Sequence, residues 1–221
     1  MFTSYEKDLV FDQKEVMGNT IQKTSMQLIN LIVKNKKYIA EMDPYIDEVL
    51  KQMQAMAPDL LLDNKSLIER KRDQLQLTIL TKTFLEFKEG KKEAYAVLKD
   101  LRELVVHTGD TSNLILDPDL DSYYVMDATL IAAPQLFDRL FEMDKFLLTL
   151  TAKPNEPLTA EERVKVSVYL AMLKESDWGR AFADVTTAIN EDKNFYDSNA
   201  QLQGEVKTKL ASLDLLFKDY F

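Results

Sequence analysis

Three aspartates alternate with other residues in one short stretch, as Asp117, Asp119 and Asp121. Alternating carboxylates are the first ligands of a calcium loop, which also needs glycine at its sixth position and glutamate at its twelfth. Counted from Asp117, those positions hold Ser122 and Ala128. The spacing therefore favours a structural role for the three acids over a calcium site, and we expect no metal here.

Two adjacent tyrosines follow the acids, Tyr123 and Tyr124, and the stretch ends at Asp127. Successive residues of a helix differ by about 100° around its axis, so at most one of the two rings points straight into a core. Because a buried tyrosine hydroxyl seeks a partner, a bond to a carboxylate would lock this part of the fold. The alternative is that these rings contact a ligand.

His107 is the only histidine, and the chain has no cysteine. A di-iron bundle needs Glu-x-x-His motifs, but Glu103 lies four residues before His107 rather than three. A haem ligand and a polar residue near a helix junction are the remaining interpretations, together with a ligand contact. No nucleophile–base pair and no glycine-rich phosphate loop can be assembled, so we expect no enzymatic activity and no cofactor.

Arginines and the single tryptophan complete the candidates for ligand contact. Arg70, Arg72 and Arg102 have the geometry to bind a carboxylate bidentately, although most arginines on such helices are solvated. Trp178 is predicted to lie in the core, with lining a pocket as the alternative. The predicted ligand-binding residues are Arg102, His107, Tyr123, Tyr124 and Trp178.

Composition indicates an all-helical protein. Hydrophobic residues make up 46% of the chain, which argues against disorder, and five glycines and six prolines leave few turns between long elements. The net charge of −9 argues against nucleic acid and against an anionic membrane surface as partners. The absence of cysteine excludes disulfides and is compatible with an oxidising compartment.

Apolar periodicity predicts six helices, at about 5–41, 43–57, 64–105, 117–149, 159–189 and 196–221. The third is very long, and its near-heptad spacing predicts an elongated, two-tier antiparallel bundle in which long helices are shared between tiers. Pro134 should kink the fourth helix. Thr159 and Glu162 form a capping box that opens the fifth, and a polar turn is predicted at 190–194.

The acidic stretch must stand where one of these helices begins. Asp117 is a suitable N-cap, and Pro118 then occupies the first helical position, where its missing N–H costs nothing. Asp119 and Asp121 fall in or next to the first turn, where the helix dipole favours anions. The stretch is therefore predicted to end one helix and start the next, with Asp117, Pro118, Asp119, Asp121 and Asp127 as a structural motif.

The whole run, DTSNLILDPDLDSYYVMDA, resembles a motif in the periplasmic all-helical sensor domains of bacterial methyl-accepting chemotaxis proteins. Related receptor histidine kinases and cyclic-nucleotide-signalling receptors carry a similar motif. Weaker likeness extends over 84–104 and 134–163, and Gly109 departs from the small helix former expected there. The resemblance implies a ligand-sensing periplasmic domain that binds a small extracellular molecule or a periplasmic binding protein, and that forms a homodimer in the full-length receptor.

The sequence has no apolar run long enough to span a bilayer and no signal-peptide pattern. If the resemblance holds, residues 1–221 are one excised sensor domain, and flanking segments supply the contact with the membrane. The alternative is a soluble helical scaffold or adaptor that binds partner helices. Composition alone does not separate these two functions.

Overall fold

The computed structural model describes residues 4–116, 119–153, 155–195 and 198–220. It is 84% helical, and no strand occurs in this described part, which confirms the all-α class. The chain divides into two compact units, Met1–Leu116 (unit 1) and Asp117–Phe221 (unit 2). Every helix described lies within one of these units.

Unit 1 is built around its first helix, α1. Its helices are α1 (Ser4–Asn35), α2 (Asp43–Met56), α3 (Asn64–Glu69), α4 (Leu77–Lys88) and α5 (Ala94–Ser112). α1 packs mainly against α5 and α2. The predicted face of α1 is confirmed, because all of its members are buried: Gly18, Ile21, Ser25, Leu28 and Ile32. A β-carbon added at Gly18 would lie 2.2 Å from the Ser112 hydroxyl oxygen of α5, so glycine lets these two helices approach closely.

The prediction of one long third helix is wrong, since α3, α4 and α5 occupy that region as separate helices. The first break follows Lys71, which takes a left-handed backbone with φ +57°. The Arg72 amide then donates to the Leu67 carbonyl at 2.9 Å, a common way to close a helix end. The second break is at Gly90, with φ +71°. Glycine adopts this conformation readily, whereas lysine does so rarely, so the first break carries little signal in the sequence.

The apolar face predicted for that region is nevertheless confirmed. Its buried members in α4 and α5 are Leu80, Phe84, Phe87, Ala94, Leu98, Leu101 and Val105. α5 also continues through Gly109 without interruption. α1 is shorter than predicted and ends at Asn35, because Lys36 adopts a left-handed conformation with φ +58°.

Unit 2 contains longer helices interrupted by π-helical segments. The first runs unbroken through α6 (Leu120–Asp127), a π segment (Ala128–Ala132) and α7 (Ala133–Thr151). The second runs unbroken through α8 (Ala160–Met172), a π segment (Leu173–Trp178) and α9 (Gly179–Phe195). A third π segment (Leu202–Val206) leads into α10 (Lys207–Tyr220).

Proline and glycine explain two of the π segments. Pro134 has no amide hydrogen, and just before it the Ala133 amide donates to the Ala128 carbonyl, five residues back. The distortion predicted at Pro134 therefore takes the form of a π turn. Gly179 closes the second segment by donating to the Lys174 carbonyl. A β-carbon at Gly179 would lie 2.7 Å from that oxygen, so a larger residue would not fit without a backbone shift.

Side-chain contacts define an antiparallel arrangement within unit 2. Asp127 bonds Arg180, and Gln135 bonds Asp177, so positions advance along one helix as they recede along the other. The capping box that opens α8 is confirmed, with the Glu162 amide 3.1 Å from the Thr159 hydroxyl. The turn predicted at 190–194 is wrong, because α9 continues to Phe195.

Candidate functional site

The acidic motif lies at a helix boundary, as predicted. α5 ends at Ser112, and Asn113 follows with a left-handed φ of +67°. α6 begins at Leu120, with Asp119 at its N-cap position and Asp121 in its first turn. The prediction that the helix starts at Pro118 with Asp117 as its cap is therefore wrong, because Asp119 takes the N-cap position, and its side chain makes no capping hydrogen bond. Asp117 and Pro118 themselves lie outside the described residues.

Asp127, the last acid of the motif, is a buried carboxylate that pairs with Arg180, whose side chain is 42% exposed. Its exposed fraction is 5%, and both of its carboxylate oxygens accept hydrogen bonds from Arg180 of α9. The Arg180 Nε lies 2.9 Å from Oδ2, and Nη2 lies 2.6 Å from Oδ1. A bidentate arginine–carboxylate pair combines strength with fixed geometry, so it holds α6 against α9 in one register.

A second carboxyl group, that of Asp184, lies beside this pair. Asp184 is 7% exposed, and its Oδ2 is 3.9 Å from the Arg180 Nε, too far for a hydrogen bond. Within the described part of the chain that oxygen has no hydrogen-bond partner. Burial and the adjacent Asp127 raise the pKa of Asp184 to about 7, whereas the hydrogen bond to Asp127 raises the pKa of Arg180.

Two more aspartates of the same chain segment are buried with donors from other elements. Asp177 is fully buried and accepts from Gln135 at 2.8 Å and from the Arg139 Nε of α7. Asp192 is 2% exposed and accepts from the Gln203 amide group at 2.9 Å. The Gln203 bond lowers the pKa of Asp192, which keeps that carboxylate ionised. Polar contacts between different helical segments thus occur at several positions along unit 2.

The aromatic candidates border this interior. The rings of Tyr123 and Tyr124 meet edge to face, with centroids 5.4 Å apart. Tyr123 is 37% exposed and Tyr124 is half-buried, which agrees with the expectation that at most one points straight inward. Trp178 is half-buried and stacks on Phe217 of α10 with centroids 4.3 Å apart, so it serves in packing. A tyrosine–carboxylate bond joins Tyr38 to Asp43 in unit 1, at 2.9 Å, which is a different place from the bond predicted for Tyr123 or Tyr124.

His107 is a fully buried, neutral residue of unit 1. Its Nε2 lies 2.9 Å from the Leu60 carbonyl, to which it donates, and its Nδ1 accepts from Arg72 at 3.1 Å. Arg72 also bonds Asp110 at 2.6 Å. Burial lowers the pKa of His107, which favours this neutral form. Both ring nitrogens are therefore used by the protein itself, and the geometry favours a structural role.

The five predicted ligand contacts fall into two groups. Arg102, which is half-buried, and His107 lie on α5 in unit 1. Tyr123, Tyr124 and Trp178 lie in unit 2, the two tyrosines on α6 with Asp127 and the tryptophan two residues before Arg180. Tyr123 also acts electrostatically on Arg180.

Sequence reasoning missed the residues that complete the polar interior: Arg139, Asp177, Arg180 and Asp184. One signal was available, because Asp177 and Asp184 are seven residues apart and each directly precedes a member of the predicted apolar face, Trp178 or Val185. Acids at helical spacing beside a buried face indicate partners on a facing helix. The identity of those partners is not encoded locally.

No group of three or more histidine, cysteine or acidic side chains is arranged to hold a metal ion within the described residues. Over the same residues, no helix has the combination of length and apolar character needed to cross a membrane. Comparison with known proteins found no matching protein family, no matching curated protein and no matching solved structure.

Proposed function

We propose that this chain is the ligand-sensing and signal-transmitting extracytoplasmic domain of a bacterial transmembrane receptor, either a chemoreceptor or a sensor histidine kinase. The observation that carries the proposal is the run from Asp110 to Ala128, which resembles the motif of such periplasmic domains. In this proposal the domain lies in the periplasm, acts as a homodimer within the receptor and catalyses no reaction of its own.

The geometry of unit 2 supports this proposal. The motif's last acid, Asp127, ties α6 to α9 through Arg180, and Asp177 ties α7 to the π segment before α9. Paired helices held by a few discrete polar contacts can switch between alternative packings, which is how small helix shifts carry a signal. π-helical turns are frequent at functional sites, and both contacts lie at or beside such turns.

The arrangement of the helices is part of the same proposal. The sequence predicts a six-helix, two-tier antiparallel bundle with long helices shared between tiers. The long third helix of that prediction is wrong, since three shorter helices take its place, so the part that is proposed here is a two-tier antiparallel bundle in which residues 1–221 form one sensor domain. The structure shows that the described part of the chain is all-helical. Small-angle X-ray scattering of the chain measures the elongation that the two-tier arrangement requires.

The proposed ligand is a small extracellular molecule or a periplasmic binding protein. The chain carries 37 acidic against 28 basic residues, which favours a cationic or neutral molecule over a polyanion. Tyr123 is the described candidate best placed to contact such a ligand, because it is exposed beside the Asp127–Arg180 pair.

A thermal-shift screen of amino acids, organic acids, amines and purines against the full chain tests direct sensing. We expect a specific compound to raise the melting temperature by several degrees, since a ligand in excess of its dissociation constant stabilises the folded state. Tyr123→Phe should weaken this response, while the matched substitution Tyr45→Phe in unit 1 should leave it unchanged. A response confined to di- and tricarboxylates would contradict the preference for cationic or neutral ligands.

A second candidate function is a scaffold that binds a partner helix. It is favoured by an exposed, largely apolar face of α8, formed by Ala160, Arg163, Val164, Ser167, Val168 and Ala171. Val164 is 63% exposed and Val168 is 49% exposed. The 4-3-4 spacing of Ala160, Val164, Ser167 and Ala171 matches a helix that carries aliphatic residues in the same heptad register. Two results together would favour this function over the receptor function. No compound in the ligand screen would raise the melting temperature, and the chain would bind such a helix, with Val164→Glu abolishing that binding.

A further inference from the structure

Two buried carboxyl groups and one partly exposed cation meet where α6 packs against α9. The Arg180 guanidinium makes both of its close contacts with Asp127, at 2.6 and 2.9 Å. Asp184 lies one helical turn beyond Arg180, with its Oδ2 at 3.9 Å from the Arg180 Nε. The side chains of Asp127 and Asp184 are 8% and 10% exposed, so water cannot solvate both carboxylates freely, whereas the Arg180 side chain is 42% exposed and its cation is partly solvated.

The charges of this cluster do not balance if both acids are ionised. One cation against two carboxylates leaves a net negative charge in a buried site, which is unfavourable. A single proton on Asp184 removes that charge and supplies a donor toward Asp127, whose oxygens otherwise face another acceptor. The cluster then holds one ion pair and one neutral acid.

The groups that act directly on the charge of Asp184 are Asp127 and Arg180, and Tyr123 of α6 acts on Arg180. α6, which packs on α9, also carries the half-buried Asp121 in its first turn. The π segment at 128–132, which also packs on α9, contains no titratable residue. On the elements that follow α9, Glu205 pairs with Lys209 and Asp214 pairs with Lys218, each at 2.6 Å, while Lys207 and Asp219 are exposed.

We propose that Asp127 and Asp184 form a proton-binding site whose occupancy sets how tightly α6 packs against α9, so that unit 2 responds to the pH around it. With the proton bound, the two helices are joined by the Arg180 ion pair and by a carboxylic acid that donates to a carboxylate. When the proton leaves, two carboxylates repel each other across the same interface. This inference goes beyond ligand sensing and stands whether or not the chain is a receptor.

The pH range over which the proton affects stability follows from the raised pKa of Asp184. The pKa of Asp184 is raised from 3.8 to about 7, so the folded chain binds this proton more tightly than the unfolded chain does. The contribution of the bound proton to stability is therefore complete below the ordinary value of 3.8, declines as the pH rises above it, and is lost above about 7. The proton occupancy of the folded chain, by contrast, changes around pH 7.

Trp178 provides a readout in the full chain, because it is the only tryptophan and lies two residues from Arg180. We expect its emission to change reversibly between pH 6 and 8, with a midpoint near the Asp184 value of about 7. Asp184→Asn keeps a neutral donor beside Asp127 and should abolish the change. It should also raise the melting temperature relative to the wild type by more at pH 8.5 than at pH 5.5, because the wild type has lost more of the proton's stabilising effect at the higher pH. A merely damaging substitution would not stabilise the chain, and its effect would not grow with pH in this way.

The matched control is Asp192→Asn, another buried aspartate of α9, whose pKa is lowered rather than raised. This variant should keep the emission change near neutral pH. Carbon-13 NMR of aspartate side-chain carboxyls in the wild-type chain gives an independent measurement that needs no variant to fold. We expect one carboxyl signal to titrate near pH 7. The proposal is overturned if every carboxyl titrates near its ordinary pKa, or if Asp184→Asn keeps the wild-type emission change.

Discussion

Replacing Arg139 with alanine is expected to lower the free energy of unfolding by about 3–5 kcal/mol, the usual cost of leaving one partner of a buried ion pair alone. Asp177 is fully buried and would keep Gln135 as its described donor. The contact crosses from α7 to the π segment before α9, so its loss weakens the centre of unit 2. Urea unfolding followed by the emission of Trp178 measures the effect.

Two variants separate the charge from the packing of this side chain. Arg139→Met alone keeps most of the aliphatic volume and should cost nearly as much as alanine, because Asp177 stays charged. Combining Arg139→Met with Asp177→Leu removes both charges and should recover most of the loss, as paired apolar replacements often do. Equal damage from the single and the double variants would contradict the ion-pair explanation.

Replacing His107 with alanine is expected to cost about 3 kcal/mol, from the cavity that it leaves and from the lost donor to a buried carbonyl. His107 is 0% exposed, and both of its ring nitrogens are bonded, to the Leu60 carbonyl and to Arg72. His107→Gln is the matched variant, because its amide group supplies both a donor and an acceptor. It should recover part of the loss in a thermal melt.

The same residue makes the stability of unit 1 depend on pH. Burial lowers the pKa of His107 below its ordinary value of 6.5, so the unfolded chain takes up this proton first as the pH falls. The contribution of the neutral ring to stability is therefore complete above pH 6.5 and declines below it. His107→Gln should flatten this decline. If His107→Ala instead kept the wild-type melting temperature and lost a ligand response, the histidine would belong to a binding site.

Periodic features of the fold were predictable from the sequence. The buried face of α1, the faces of α4 and α5 and the capping box at Thr159 all follow from local spacing or local side-chain chemistry. The break at Lys71 does not, because a left-handed lysine is stabilised by its surroundings rather than by its own preference. The sequence predicts a turn for the polar run at 190–194. Asp192 in that run is instead buried, and it accepts a hydrogen bond from Gln203 of a later element.

The candidate site was predictable only in part, for a similar reason. Asp127 was recognised as structural within its motif, but its partner Arg180 lies 53 residues away. Pairing between distant positions depends on which helices face each other and on their register, neither of which is encoded in local periodicity. The raised pKa of Asp184 has a similar origin, since burial and Asp127, which lies on another helix, together raise it.

The most direct test of the receptor proposal is a hybrid receptor. The chain would replace the extracytoplasmic domain of a chemoreceptor whose cytoplasmic part controls a histidine kinase, and kinase activity would be measured in membranes. We predict that a compound which stabilises the isolated chain changes kinase activity in the hybrid over the same concentration range. A compound that binds the chain tightly in the assembled hybrid, yet leaves kinase activity unchanged at saturation, would contradict the proposal.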